Sequence, residues 1–244
     1  MINLSIVIPM KNEAGNIGAL LRDIDAALAD RADFEIVVVD DCSDDGSVEV
    51  VRERARAAGH VRLLRHDRGD GQSAAIHSGV AHARGEIVCT LDGDGQNPAL
   101  ELPKLFAPFL APDAPAGLGL VAGQRVNRKD TWSKRTASCL ANGLRSRMLR
   151  DDTRDTGCGL KAFRRSAFLE LPYFDHMHRY LPALFVRAGW TVMHVDVGHA
   201  PRRAGRSKYS NFQRATVGIV DLLGVAWLQR RARKATVMSE ANRR

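Results

Sequence analysis

Cysteine is scarce and scattered. Cys42, Cys89, Cys139 and Cys158 form no CxxC pair in the 244 residues, which excludes the usual zinc spacings and a disulfide framework and fits a reducing compartment. No window reaches the ~18 uncharged apolar residues of a membrane-spanning helix. The nearest, 215–228, is too short and contains Asp221. The N-terminal stretch lacks a basic segment leading into a long apolar run, so no signal peptide is expected. Aromatic residues make up 6% of the chain, and they do not interleave with the C-terminal basic residues as a nucleic-acid surface would require. No GxGxxG follows the first apolar run, which argues against an ordinary dinucleotide site. No internal repeat or low-complexity linker divides the chain.

What is present is an ordinary soluble core, 45% hydrophobic, long enough for one large α/β domain and a short appendage. The net charge of +8 is unevenly spread. Residues 201–244 hold eleven Lys or Arg against two acids, a local +9, so the body is close to neutral at −1. A basic tail suits an anionic lipid, a phosphorylated substrate or nucleic acid. The acidic clusters described next would repel nucleic-acid phosphate unless a metal intervened.

Leu4-Ser5-Ile6-Val7-Ile8-Pro9, Glu35-Ile36-Val37-Val38-Val39, Val61-Arg62-Leu63-Leu64 and Glu86-Ile87-Val88-Cys89-Thr90 are short, β-branched, continuously apolar runs. Helical spacing separates them, with Ile17, Leu20, Leu21, Ile24 and Leu28 as the clearest case. Continuous apolar strands alternating with helices predict a parallel sheet covered on both faces. Ligands of such sheets bind at the carboxyl ends of the strands, and the polar clusters fall there. Further helices are expected at 101–110, 132–149 and 178–188, and further strands at 118–123, 160–163 and 190–197.

The chain is organised around Leu91-Asp92-Gly93-Asp94-Gly95-Gln96-Asn97-Pro98. In extended chain, residues i and i+2 point the same way, so Asp92 and Asp94 can converge on one cation, and Gln96 adds a neutral oxygen. Such hard oxygen ligands suit Mg²⁺ or Mn²⁺ with phosphate oxygens completing the shell. Taken alone the stretch reads equally well as a polar Asp-Gly turn. It is not an EF-hand: counted from Asp92, the sixth position is Asn97 where Gly is needed, and the twelfth is Pro103 where Glu is needed.

Three groups of residues resemble the family-2 glycosyltransferases in combination. They are Ile8-Pro9-Met10-Lys11-Asn12-Glu13, Val38-Val39-Asp40-Asp41-Cys42-Ser43-Asp44-Asp45-Gly46-Ser47 and the Asp92 stretch. The resemblance covers nearly the whole chain. Gly123-Gln124-Arg125, Asp155-Thr156-Gly157-Cys158-Gly159-Leu160-Lys161-Ala162-Phe163, His178-Arg179-Tyr180-Leu181-Pro182 and Arg203-Ala204-Gly205-Arg206-Ser207-Lys208-Tyr209 are similar to the dolichyl- and polyprenyl-phosphate sugar synthases.

The resemblance implies an inverting GT-A (nucleotide-diphospho-sugar transferase) fold, an α/β architecture with a mainly parallel Rossmann-like sheet. It implies that Pro9, Asn12, Glu13, Asp40, Asp70 and Asp92 line the nucleotide-sugar pocket, and that Asp92, Asp94 and Gln96 hold Mg²⁺ or Mn²⁺. It implies that Arg125, Lys134, Arg135, Ser138, His178, Arg179, Arg203 and Lys208 face the acceptor phosphate, with Asp94, Arg125, Arg203 and Lys208 acting in catalysis. The QxxRW motif of processive polysaccharide synthases is absent, and His178-Arg179-Tyr180 stands in its place. Taken singly, Arg125, Arg135 and Arg179 also read as solvated surface charges, Asp155 as the cap of a turn, and His178 as a helix-start residue without chemistry.

These expectations make a consistent reaction. A phosphate monoester has its second pKa near ~6 and is largely dianionic at neutral pH, so it can attack an anomeric carbon without a general base. The expected donor is GDP-mannose, with a UDP-hexose second, and the expected acceptor is an undecaprenyl or dolichyl phosphate. A saccharide hydroxyl acceptor is the alternative, and it would need a positioned carboxylate base.

Residues 1–210 are expected to form the catalytic domain, and 211–244 an amphipathic helix with a basic tail. Phe212, Ile219, Leu222, Leu223 and Trp227 recur at helical spacing, and Arg230, Arg231, Arg233 and Lys234 follow. Such a helix either packs on the core or lies in a membrane interface. The second alternative implies peripheral attachment to the cytoplasmic face of a membrane, with room for a membrane-protein partner.

Overall fold

The computed structural model describes residues 3–29, 31–126, 145, 147–200 and 211–232. Four parallel strands open the fold: β1 (Leu4–Met10), β2 (Phe34–Asp40), β3 (Val61–Arg65) and β4 (Ile87–Thr90). They are joined by α1 (Ala14–Leu28), α2 (Ser47–Ala57) and α3 (Gln72–His82). A 3₁₀ turn (Ala99–Glu101) leads into α4 (Leu102–Leu110) and then β5 (Leu118–Arg125). Next come β6 (Lys161–Arg164), α5 (Arg165–Leu169), a 3₁₀ turn (Met177–Arg179), α6 (Leu181–Arg187), β7 (Thr191–Val197) and α7 (Asn211–Arg230).

The seven described strands form one sheet in the order β3-β2-β1-β4-β6-β5-β7. β6 alone among them runs antiparallel, to β4 on one side and β5 on the other. The mainly parallel sheet expected from the apolar strands is therefore present. The reversal has a consequence for the site: β6 begins, at Lys161 opposite Thr90, where the parallel strands end.

Side chains alternate across the sheet. Ile6, Ile8, Ile36 and Val38 pack on one face with residues of α1 and α4, such as Leu20, Ile24 and Phe106. Val7, Val37 and Val39 pack on the other with Ile76, Val80, Phe163 and Phe185. Both faces are buried, which is why the strands read as unbroken apolar runs. At Gly79 a Cβ would lie 3.1 Å from the Val39 Cγ2, so the absent side chain lets α3 approach the sheet closely.

At the opposite edge, far along β2 from its polar end, Glu35 is buried. It accepts bonds from Ser5 Oγ (2.8 Å), Arg62 Nη1 (2.7 Å) and the Arg84 N–H (2.6 Å). Burial pushes its carboxyl up, but these donors outweigh it and hold the carboxyl below its ordinary range.

The expected helix over 178–188 divides into a 3₁₀ turn and α6, because Pro182 occupies the first turn of a new helix, where its missing N–H is not needed. The expected helix over 132–149 falls largely outside the described residues. α7 is docked as well as exposed. Val225 is buried in the second core cluster, Arg187 Nε donates to the Leu228 carbonyl at 2.9 Å, and Gln229 Nε2 donates to the Leu149 carbonyl at 2.7 Å. Ile219, Val220, Leu223 and Trp227 are between 58% and 69% exposed. No helix of the described residues is long and apolar enough to cross a membrane.

Candidate active site

Loops following β1, β2, β3 and β4 meet at the carboxyl edge of the sheet and hold one another by side-chain-to-backbone bonds. After β1, Asn12 adopts a left-handed conformation (φ 57°). Its N–H donates to Ser43 Oγ (2.9 Å) and its amide exchanges two bonds with Asp44, at 2.6 and 2.9 Å. The Glu13 N–H donates to Ser47 Oγ (2.7 Å), and the Glu13 carboxylate accepts from Asn16 Nδ2 (2.6 Å). The β1 and β2 loops are thus sewn together, with Pro9 at their base. The Pro9 carbonyl lies 3.2 Å from where a Cβ of Gly93 would stand, so the Asp92 turn packs directly on the first loop.

Asp40 and Asp41 diverge. Asp40 is fully buried, and its carboxylate accepts from the Ser43 N–H (3.2 Å) and Arg65 Nε (3.5 Å). Asp41 turns to the loop after β3, accepting from the Asp70 N–H (2.9 Å), the Gly71 N–H (3.0 Å) and His66 Nδ1 (3.0 Å). Burial pushes the Asp41 carboxyl up, but those three donors and Lys11 outweigh it and the net direction is down. Asp70 itself directs its side chain to Arg68, at 3.1 and 3.2 Å. Sequence reasoning singled out Asp40; the residue that organises the loop is Asp41, its neighbour.

Asp92 lies at the centre. Gln72 Nε2 donates to its Oδ1 at 2.7 Å and Asn97 Nδ2 to its Oδ2 at 3.2 Å. Asp94 Oδ1 accepts from the Gln96 N–H at 3.1 Å, and the Gln96 carbonyl accepts from the Ala200 N–H at 3.0 Å. Burial raises the Asp92 pKa and the neighbouring Asp94 raises it further, against Lys161, Asn97 and Arg125, which lower it. Two carboxylates on alternate residues that repel each other in a partly buried turn fit a divalent cation, which would relieve that repulsion. Among the described residues no third His, Cys, Asp or Glu completes a protein-only metal cage. Magnesium sites commonly use one or two carboxylates with substrate phosphates supplying the rest.

The segment leading into β6 closes over Asp92. Thr90 Oγ1 donates to the Gly159 carbonyl at 2.8 Å. A Cβ on Gly159 would stand 2.6 Å from Asp92 Oδ1, so the Asp92 carboxylate occupies the space a side chain there would need. Lys161 is 5% exposed, and its ammonium donates to the Cys158 carbonyl. Burial pushes that ammonium's pKa down, while Cys158, Asp92 and Asp155 oppose the shift. Lys161, Gln72 and Asn97 had no assigned role in the sequence reading. Asn97 reaches Asp92 from within the same turn, whereas the closeness of Lys161 and Gln72 depends on the antiparallel strand and on helix placement, which spacing does not encode.

Arg125, at the end of β5, is engaged with Asp155 through Nε (2.6 Å) and Nη2 (2.8 Å). Asp155 also accepts from the Gly157 N–H at 3.2 Å, so it does cap a turn as well. His178 Nδ1 meets Ser73 Oγ at 2.7 Å. Burial, with Lys161, Arg179 and His176 nearby, holds the His178 pKa well below its ordinary value, so the ring is neutral at pH 7. Arg179 follows it in the same 3₁₀ turn. Lys134, Arg135, Ser138, Arg203 and Lys208 lie outside the described residues.

Residues 5–171 match the family model described as Glycosyl transferase family 2. The undecaprenyl-phosphate 4-deoxy-4-formamido-L-arabinose transferase of Edwardsiella ictaluri is 37% identical over 208 residues, covering 84% of this chain and 62% of that protein. The protein of the same name from Klebsiella pneumoniae is 36% identical over 209 residues, covering 85% of this chain and 62% of its own. This chain thus spans about three fifths of the length of these curated relatives. Among solved structures, glucosyl-3-phosphoglycerate synthase from Mycobacterium tuberculosis, in complex with Mn²⁺, UDP and phosphoglyceric acid, superposes with a TM-score of 0.69. That match has 18% identity and covers 96% of this chain and 80% of that one, which supports the GT-A fold. The family match runs from β1 through α5 and takes in both the Asp92 turn and the strand that closes over it: the chain belongs to glycosyl transferase family 2.

Proposed function

We propose that this glycosyltransferase moves a sugar from a nucleotide diphosphate to a polyprenyl phosphate by single displacement with inversion, aided by Mg²⁺ or Mn²⁺. The observation that carries the reading is the state of Asp155. A hydroxyl acceptor needs a carboxylate free to take its proton. Asp155, which meets the end of β5 at Arg125, is instead committed to Arg125 on both oxygens. A phosphate acceptor is already anionic and needs only to be placed. The relatives named as undecaprenyl-phosphate transferases support the same acceptor class.

The loops after β1 and β2, locked by Asn12–Asp44 and Glu13–Ser47, form the wall against which the nucleoside of the donor would lie. Asp70, whose backbone N–H bonds Asp41, is assigned to the far side of that pocket. Asp92 and Asp94 would hold the metal, with Gln96 beside them. When bound, the metal neutralises the donor diphosphate and stabilises it as it leaves. Arg125 keeps one guanidinium nitrogen, Nη1, outside the pair with Asp155, and its positive charge is assigned to the phosphates. Arg179, Lys134, Arg135, Ser138, Arg203 and Lys208 are assigned to the acceptor phosphate, and neutral His178 to an orienting contact there. The relatives carry a modified pentose in their names, so the donor panel begins with amino-pentoses and extends to GDP-mannose and UDP-hexoses.

The same reading places the protein on the cytoplasmic face of a membrane, where such an acceptor resides. The exposed stripe of α7, followed by Arg230 and Arg231, supports peripheral attachment, with or without a membrane-protein partner. The test is transfer from labelled nucleotide-sugars to undecaprenyl or dolichyl phosphate, with and without Mn²⁺ or Mg²⁺, alongside Asp94→Ala. Metal-dependent label in the lipid fraction, lost in the variant and inverted at the anomeric carbon, is the expected result. Label in a soluble saccharide, or a retained configuration, overturns the proposal.

A further inference from the structure

The first turn of α3 joins three parts of the site that belong to different segments of the chain. The Gly71 N–H reaches Asp41, the Gln72 amide reaches Asp92, and Ser73 Oγ meets the His178 ring at 2.7 Å. Gln72 is itself exposed, whereas Ser73, Ala75 and Ile76 behind it are buried and fix the helix. Holding a long exposed side chain in one rotamer costs conformational entropy, and water could satisfy its amide. The Gln72 amide nonetheless lies 2.7 Å from Asp92 Oδ1. The second oxygen of Asp92 is held by Asn97, which travels with the turn itself, and Gly159 presses on the carboxylate from the side. Gln72 therefore anchors Asp92 to a separate, rigid element.

We infer that Gln72 is a positioning residue for the metal-binding carboxylate, fixing the plane of Asp92 and tying it through α3 to the loop that Asp41 holds over the donor. The inference rests on the reading of Asp92 and Asp94 as the metal carboxylates. Outer partners that orient ligating carboxylates typically contribute 10–100-fold in metal affinity or activity. Gln72 touches neither metal nor substrate in this role; it acts through Asp92.

The test is Gln72→Met, which keeps the length and removes the donor, with Asp94→Ala as reference, in the full chain. Mn²⁺ binding is followed by the electron paramagnetic resonance of the free ion, for Mn²⁺ alone and again with UDP and with GDP. The expected result is Mn²⁺ affinity weakened about 10-fold in Gln72→Met, a raised KM for the donor, and an unchanged melting temperature without metal. Unchanged Mn²⁺ affinity in Gln72→Met, with Asp94→Ala impaired, overturns the positioning role and leaves the metal reading standing. Equal Mn²⁺ binding by wild type and Asp94→Ala overturns the metal reading, and the inference falls with it. A lowered metal-free melting temperature with unaltered Mn²⁺ affinity assigns Gln72 to structure alone.

Discussion

Arg125 and Asp155 form a two-pronged ion pair, Nε to Oδ2 at 2.6 Å and Nη2 to Oδ1 at 2.8 Å, and the Arg125 backbone N–H adds a bond to Oδ2 at 3.3 Å. Their side chains are 16% and 8% exposed, so removing one partner strands a charge that water reaches poorly. Asp155→Asn is expected to destabilise the fold by about 2–3 kcal/mol in urea unfolding. Residual transfer should keep the wild-type pH profile. A variant of wild-type stability that has lost all turnover would instead mark Asp155 as a proton acceptor.

This pair also shows where the sequence was readable and where it was not. Arg125 and Asp155 both stood in stretches resembling the family, yet their pairing depends on β5 and the approach to β6 lying side by side. The parallel half of the sheet was legible because each strand is buried on both faces and is followed by a polar loop. The direction of β6 was not, since a strand of four residues, Lys161–Arg164, is too short for its pattern to distinguish parallel from antiparallel pairing. Asp40 and Asp41 illustrate a finer limit. Their types announce a site, but which carboxylate turns inward and which organises the next loop is decided by the last backbone torsions of β2. Contacts such as Gln72 with Asp92, or Ser73 with His178, span 20 and 105 residues, and no local periodicity records them.

Asp41 gives a pH-dependent prediction. Its folded pKa is lowered from 3.8 by donors that overcome the cost of burial. The stabilisation is therefore fully present above the unfolded value of 3.8 and is lost as pH falls through the depressed folded value. Asp41→Asn should be less stable than wild type by roughly 1–3 kcal/mol at pH 7. The difference should narrow once the pH drops below 3.8, as measured by urea midpoints across the acid range. Lys11 contributes little to this, being 47% exposed at 3.8 Å. A gap that stays constant down to pH 3 would contradict the assignment.

Gly159 is set against Asp92 so tightly that a methyl group would stand 2.6 Å from its Oδ1, and Gln72 and Asn97 keep the carboxylate from swinging aside. Gly159→Ala should cost about 1–3 kcal/mol of overpacking strain and lower the transfer rate by at least roughly 10-fold, as displaced ligand geometry does. Gly59→Ala is the control, because no atom lies within 4 Å of its added carbon, and it should leave the rate unchanged. Wild-type turnover in Gly159→Ala would show that Asp92 need not occupy its observed position.

α7 presents two faces whose substitutions should separate cleanly. Val225 is 1% exposed and packs in the second core cluster, whereas Leu223 and Trp227 are each 58% exposed. Arg231 stands 5.8 Å over the Trp227 ring, which places a cation beside the apolar stripe as an interfacial helix requires. Leu223→Gln with Trp227→Ala should change folding stability by less than about 0.5 kcal/mol for each site. Burying a large apolar side chain in an interface contributes about 1.5–3 kcal/mol. The double variant should therefore sediment with anionic liposomes at least roughly 10-fold more weakly than wild type, and added salt should weaken both further. Val225→Asp should do the reverse, lowering the melting temperature through an uncompensated buried charge. If the double variant binds liposomes as well as wild type does, the exposed stripe is not the membrane-facing surface, and attachment must be carried by other basic residues or by a partner.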